Sequence, residues 1–257
     1  MTDLADLRAR IDGLDRELIR IVAERLAVCH EVARLKERSD TPIIQPARVR
    51  TVIDSRRQWA IDAGVDPDFA EQLVRVLLTE THRIEVARGR AEPAPSKEAA
   101  TGDRSGLDTV ASRVDHVVVA VHDLVAARAS LVDRLGFHDE TMAEPGTGIA
   151  VVAAGGVHIV LVSREAGPEV AHYLDTHGPG VQHLSIEVLN AGYARAALEA
   201  LGAPLLTDVA VDAHGHEQFF TVHDPSTGVQ FGFLSRTGHR VGFSASAVLS
   251  LFRALQR

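Results

Sequence analysis

Leu4, Leu7, Ile11, Leu14, Leu18 and Ile21 recur at alternating steps of three and four, and the stripe resumes at Val28, Val32 and Leu35. This spacing predicts one long amphipathic helix over residues 4–38, stopped before Thr41-Pro42. Arg25 stands where the next hydrophobe should fall, and Lys36 points in almost the same direction roughly three turns further on. A guanidinium on a buried stripe needs an anion, so the pair suggests an anionic ligand in one interior space; the alternative is an arginine snorkelling from a helix edge. A second helix is predicted after Gln45-Pro46, where proline suits a helix start, and fades near Ala63-Gly64. Asp66-Pro67-Asp68 caps a third, which should turn Phe69, Leu73, Val76, Leu77 and Ile84 inward.

Residues 1–90 are thus an all-α unit of three helices. Residues 91–113 continue a small, polar, proline-containing run without a sustained period, which predicts a flexible linker with at most a turn at its end. Residues 114–257 change register. Strand patterns at 114–121, 148–154 and 157–163 surround a helix at 124–135, and strands at 181–188, 218–224 and 229–236 surround a helix at 193–201. One strand, helix, strands unit is written twice, and the tail ends as a helix with Val248, Leu251, Phe252 and Leu255 on one face. The fold class is multidomain: an all-α three-helix domain followed by an α+β domain.

Composition narrows the function. A length of 257 residues with 46% hydrophobic and 24% charged residues is ordinary for two globular domains. A net charge of -8 argues against nucleic acid or anionic membrane as a partner, so a cationic site must be local. The amino terminus has no apolar signal core and no run is long enough to span a bilayer, which predicts a cytoplasmic protein. Cys29 can form no internal disulfide and reads as a small buried hydrophobe. Arg8 lies about 26 Å along the helix from Arg25 and off its face, so the two cannot grip one small ligand from the same chain. A long helix with two companions also leaves apolar surface uncovered. A homodimer that supplies Arg8 in trans resolves both points.

The set Arg8, Arg25, Lys36, Pro46-Ala47-Arg48 and Glu80-Thr81-His82-Arg83-Ile84-Glu85, with Leu7 to Asp15 around it, resembles the all-helical chorismate mutases over residues 4–88. The resemblance implies an intertwined dimer and a chorismate-like dicarboxylate substrate, rearranged by a concerted [3,3] Claisen step that needs no nucleophile and no cofactor. Arg8 from one chain would join Arg25, Lys36 and Arg48 of the other, with Arg8 and Arg25 clamping the carboxylates and Lys36 facing the ether oxygen as charge develops there. Glu85 stands at the ether position where many relatives have glutamine; as a carboxylate it must act protonated or be held by Lys36. Thr81, one turn earlier, is a further candidate for a carboxylate contact. Val49 is a departure, because the family carries there a glutamate that accepts from the substrate's ring hydroxyl. Together with Gln45 to Val49 and Thr79 to Glu85, it resembles the branch acting on 4-amino-4-deoxychorismate. Ordinary chorismate mutase, isochorismate pyruvate-lyase and a non-catalytic binding protein for pathway intermediates are the alternatives.

In the second domain, Val114-Asp115-His116, Leu135-Gly136-Phe137, Gly180 to Leu184 and the tail from Gly242 resemble the vicinal oxygen chelate fold, a glyoxalase-like paired βαβββ arrangement. The similarity is to the carboxy-terminal half of 4-hydroxyphenylpyruvate dioxygenase and hydroxymandelate synthase. In those enzymes two histidines and a glutamate bind Fe(II). His116 and His183 occupy the histidine positions, but Gly232 aligns with the glutamate, which puts Fe(II) or any other divalent metal in doubt. Glu187, on the same strand face as His183, stands about 13 Å from it. His172, His177, His214, His216 and His223 lie in or near loops and, without convergent spacing, read as solvated side chains rather than ligands.

Overall fold

The computed structural model describes residues 3–39, 41–86, 106–140, 146–212, 215–236 and 245–255. Helix α1 covers Leu4–Glu37 and opens with a capping box, in which Asp3 accepts from the Asp6 amide and Asp6 accepts in return. Helix α2, Pro46–Asp62, begins on its proline, and α3, Pro67–Val86, is capped by Asp66, which accepts from the Phe69 amide at 2.7 Å. These match the predicted helices closely. The side chains of α3 do not. Phe69, Leu73 and Val76 are exposed in the single chain, while Thr79, His82, Arg83 and Glu85 are buried. The polar residues take the inner faces because α3 lies between a charged cavity and the second domain.

The chain then forms a short α4, Gly106–Val110, and β1, Ala111–Ala120. These elements occupy the end of the segment expected as a linker, whose residues 91–105 lie outside the described residues. The remaining elements are α5 (Leu124–Ala129), β2 (His138–Glu140), β3 (Ile149–Ala154), β4 (Val157–Val162), α6 (Pro168–His177), β5 (Gly180–Val188), α7 (Ala191–Ala200), β6 (Ala210–Val211), β7 (Glu217–Phe220), β8 (Phe231–Ser235) and α8 (Ala245–Ala254). Helix α6 was not foreseen; it carries His172 and ends at His177, beside the following loop. His216 is buried; His214 and Gly242 to Ser244 lie outside the described residues.

The strands make one sheet in the order β2-β3-β4-β1-β5-β8-β7-β6. In each half the first strand pairs in parallel with the fourth, β1 with β4 and β5 with β8, and the halves join through antiparallel β1 and β5. The repeat seen in the sequence is thus a repeat of topology, two βαβββ units side by side. One apolar cluster, containing Val118, Val160, Val162, Leu174 and Phe252, packs α6 and α8 against the first half. A second joins Val49 and Ile53 of α2 to Val188, Leu189, Phe219 and Phe233 of the second half. No helix among the described residues is long and apolar enough to cross a membrane.

Candidate active site

Helical periodicity builds the site. On α3, Leu78, Thr81, His82 and Glu85 fall at spacings of three and four; on α2, Gln45, Arg48, Val49, Val52 and Arg56 do the same. Together with Arg25, Val32 and Lys36 of α1 they line a cavity of about 410 Å³, to which Leu189, just after β5, adds a wall residue from the second domain. The expected residues Arg25, Lys36, Arg48, Val49, Thr81 and Glu85 therefore converge. Arg8 does not, being exposed near the start of α1.

Arg25 donates to Thr81 Oγ1 at 2.9 Å and to the Leu77 carbonyl at 3.4 Å. Cys29, buried as expected, has its sulfur 3.4 Å from Thr81 Oγ1. Lys36 Nζ donates to Glu85 Oε2 at 2.9 Å and to the Ile43 carbonyl at 2.7 Å. Of the alternatives foreseen for Glu85, the hold by Lys36 is present; burial pushes its pKa above the ordinary carboxylate value while Lys36 opposes the rise. A carboxyl so placed ionises less readily than a surface glutamate and holds Lys36 on the cavity wall.

Two lining residues escaped the sequence reading. Arg56 lies over the Trp59 ring at 4.4 Å, and its pKa is pushed down by burial and by Arg48 and Arg25. Its spacing of four from Val52 was the available signal. His82, 7% exposed, has its pKa pushed down to about 3 by burial, Lys36 and Arg83, so the imidazole is neutral. The cavity can thus receive a compact anion with two carboxylates.

The second domain holds a different cluster. The rings of His116 and His183 meet edge to face with centroids 5.6 Å apart. His116 Nδ1 lies 2.7 Å from Asp115 Oδ1, and Asp115 accepts two bonds from Arg236, both at 2.7 Å. His183 Nδ1 lies 2.5 Å from Gln182 Oε1. Burial pushes both imidazole pKa values down. At Gly232 an added Cβ would come within 2.9 Å of the Phe220 ring and 3.2 Å of His183 Cδ2, so Phe220 fills the space a third ligand would need. Glu187 accepts from Arg113 at 2.7 Å and is 3.6 Å from Arg83, so it is committed to an ion-pair cluster. No group of three metal-ligating side chains converges among the described residues. The residues present do not fit a facial triad.

Comparison with known proteins agrees with this division. The chorismate mutase type II family matches residues 7–86, and the glyoxalase/bleomycin resistance protein/dioxygenase superfamily matches residues 115–221. A 4-amino-4-deoxychorismate mutase of Streptomyces pristinaespiralis is 36% identical over 109 residues, covering 41% of this chain and 84% of that protein. A protein of the same name from Streptomyces venezuelae is 39% identical over 83 residues, covering 32% of this chain and 81% of that protein. An isochorismate pyruvate lyase of Pseudomonas aeruginosa is 33% identical over 72 residues, covering 28% and 70%. Among solved structures, methylmalonyl-CoA epimerase from Mycobacterium tuberculosis is 23% identical with a TM-score of 0.41, covering 54% of this chain and 95% of that one. The three-helix cavity, its cations, the two family matches and the mutase relatives at 36% and 39% identity lead to one assignment: the chain belongs to the chorismate mutase type II family, an isomerase of that type with a glyoxalase-type second domain.

Proposed function

We propose that the cavity rearranges 4-amino-4-deoxychorismate to 4-amino-4-deoxyprephenate. The observation that carries this reading is Val49, a buried apolar residue on the wall of a cavity that otherwise gathers Arg25, Lys36, Arg48 and Arg56. The arginines hold the two carboxylates so that the ends of the substrate meet, while Lys36, with Glu85 beside it, stabilises charge developing on the ether oxygen. Such donors act without reorganising during the reaction. Relatives named 4-amino-4-deoxychorismate mutase, at 36% and 39% identity, support the substrate choice.

The active form in this reading is a homodimer. The α1 stripe is exposed along its length, with Leu4 at 63%, Leu14 at 69% and Leu35 at 67%, and antiparallel pairing of two such helices buries it while bringing the partner's amino-terminal segment, with its Arg8, to the cavity. The second domain acts as a wall and anchor of the mutase site rather than as an iron dioxygenase. Stoichiometric iron with keto-acid-dependent oxygen uptake in the purified protein would refute that part.

The test is a competition among chorismate, isochorismate and 4-amino-4-deoxychorismate, with products identified by mass. Higher kcat/KM for the amino substrate is expected. Prephenate as the favoured product would make the chain an ordinary mutase, salicylate with pyruvate a lyase, and no product a binding protein.

A further inference from the structure

The cavity's cations account for the carboxylates and the ether oxygen of the proposed substrate, which leaves its ring substituent without a partner. Apart from cations, the polar lining residues are Gln45, Thr81, His82 and Glu85. Thr81 Oγ1 accepts from Arg25 and donates to the Leu77 carbonyl, Glu85 holds Lys36, and Gln45 donates to the Pro42 carbonyl. His82 differs. Its Nε2 is buried and, among the described residues, has no hydrogen-bond partner, while the residue lines the cavity. A buried nitrogen left unpaired is unfavourable, and a turn of the ring about its Cβ–Cγ bond would present it to a ligand group in that cavity as its partner.

We propose that His82 is the specificity residue for the ring substituent, and that the substrate's amino group binds as the free amine. This rests on the mutase reading above. Lys36 of α1 and Arg83 of α3 act on the imidazole directly, and the cavity it lines also carries Arg25 of α1, Arg48 and Arg56 of α2, and Glu85 of α3. Against that many cations a single carboxylate cannot make an ammonium welcome, so the amine releases its proton to solvent before or on binding. A neutral imidazole is matched to a neutral amine: one nitrogen accepts from N–H or donates to the lone pair, according to its tautomer. Val49 then ceases to be a missing part. A carboxylate at that position would favour the ammonium form, and an apolar residue leaves the free amine to His82.

The test measures kcat/KM in the full chain for 4-amino-4-deoxychorismate and for the analogue with hydrogen in place of the amino group. Wild type, His82→Leu and His82→Asn are compared across pH. Removing a hydrogen bond of this kind is expected to lower kcat/KM for the amino substrate about tenfold in His82→Leu, with partial recovery in His82→Asn. The analogue should be unaffected. In wild type, kcat/KM for the amino substrate should rise with pH through the substrate's own amine pKa, a limb the analogue lacks. Equal losses on both substrates, or none, would overturn the role of His82; coincident pH profiles would overturn binding of the free amine. If His82→Leu does not fold, His82→Asn carries the same comparison. A wild type inactive on both substrates would instead overturn the mutase reading, and so the two failures are distinguishable.

Discussion

At the scale of single residues, the proposed rearrangement gives the chemistry to Lys36 and Glu85. Lys36 is fixed by two acceptors, the Ile43 carbonyl and Glu85, and in that reading it would meet the ether oxygen already oriented. Lys36→Ala should lower kcat by roughly 100- to 1,000-fold, the scale for one preorganised donor to a developing oxyanion. Unchanged turnover would remove it from the ether contact. Glu85 predicts a pH signature. Its pKa is raised by burial, and a bound dicarboxylate adds negative charge that raises it further, so the protonated donor form gains population as pH falls. Activity should therefore increase toward acid over the upper part of that titration, and Glu85→Gln, a donor at every pH, should level the profile. A profile unaltered by the substitution would show that Glu85 takes no part in it. Arg25 and Lys36 were legible because charge on one face of an apolar helical stripe stands out, whereas Glu85, on α3, was named through the family resemblance. His82 and Arg56 were not, since a polar residue at the edge of a stripe looks the same whether it faces water or a ligand.

At the scale of elements, α3 divides its two faces between the cavity and the second domain. Leu78, Thr81, His82 and Glu85 face the substrate space, while Arg75 donates to the Ala111 and Asp108 carbonyls, Thr79 Oγ1 lies 3.0 Å from Ser112 Oγ, and Arg83 sits between Glu80 and Glu187. Glu187 is 2% exposed and balances Arg83 and Arg113. Glu187→Leu would remove one of the two carboxylates beside buried Arg83 and the 2.7 Å partner of Arg113, a change of up to about 3 kcal/mol, and thermal unfolding should detect it. Since β5 also positions Leu189 on the cavity, kcat/KM should fall with it; an unchanged melting temperature would mean that the cluster is solvated. The doubled βαβββ unit was readable from alternating hydrophobicity. Helix α6 was missed although Val170, Tyr173 and Leu174 have helical spacing, because a ten-residue segment between strands shows barely two such repeats. The outward side chains of α3 were misjudged for a related reason: periodicity identifies an apolar face without saying whether its partner is the same chain or another.

For the whole molecule, the shared apolar cluster makes the two domains one stability unit, and the buried histidines make that unit sensitive to acid. Val49 and Ile53 of the mutase helices pack with Leu189, Phe219 and Phe233, a junction hidden from sequence because the intervening segment carries no pattern. His82 near this junction and His116 and His183 in the sheet are all buried, and burial lowers the pKa of each. In the unfolded chain a histidine takes up a proton near pH 6.5, whereas folded His82 resists until about pH 3. The unfolded state thus binds more protons throughout that window, and stability is lost as pH falls from about 6.5, at up to about 1.4 kcal/mol per pH unit for each such group. Asp115 works in the opposite range. The Arg236 and His116 contacts hold its pKa far below the usual carboxylate value, so its stabilisation persists until the pH is well below the ordinary carboxylate range. Between pH 6.5 and 4 the histidines therefore drive the loss, opposed by Glu85 and Glu217, whose carboxyls, with pKa values raised by burial, take up a proton earlier in the folded chain than in the unfolded one. The melting temperature should fall clearly between pH 7 and pH 5, and His82→Leu should flatten part of that fall while leaving the His116 and His183 share in place. Equal melting temperatures at the two pH values would mean that these imidazoles reach solvent in the folded protein.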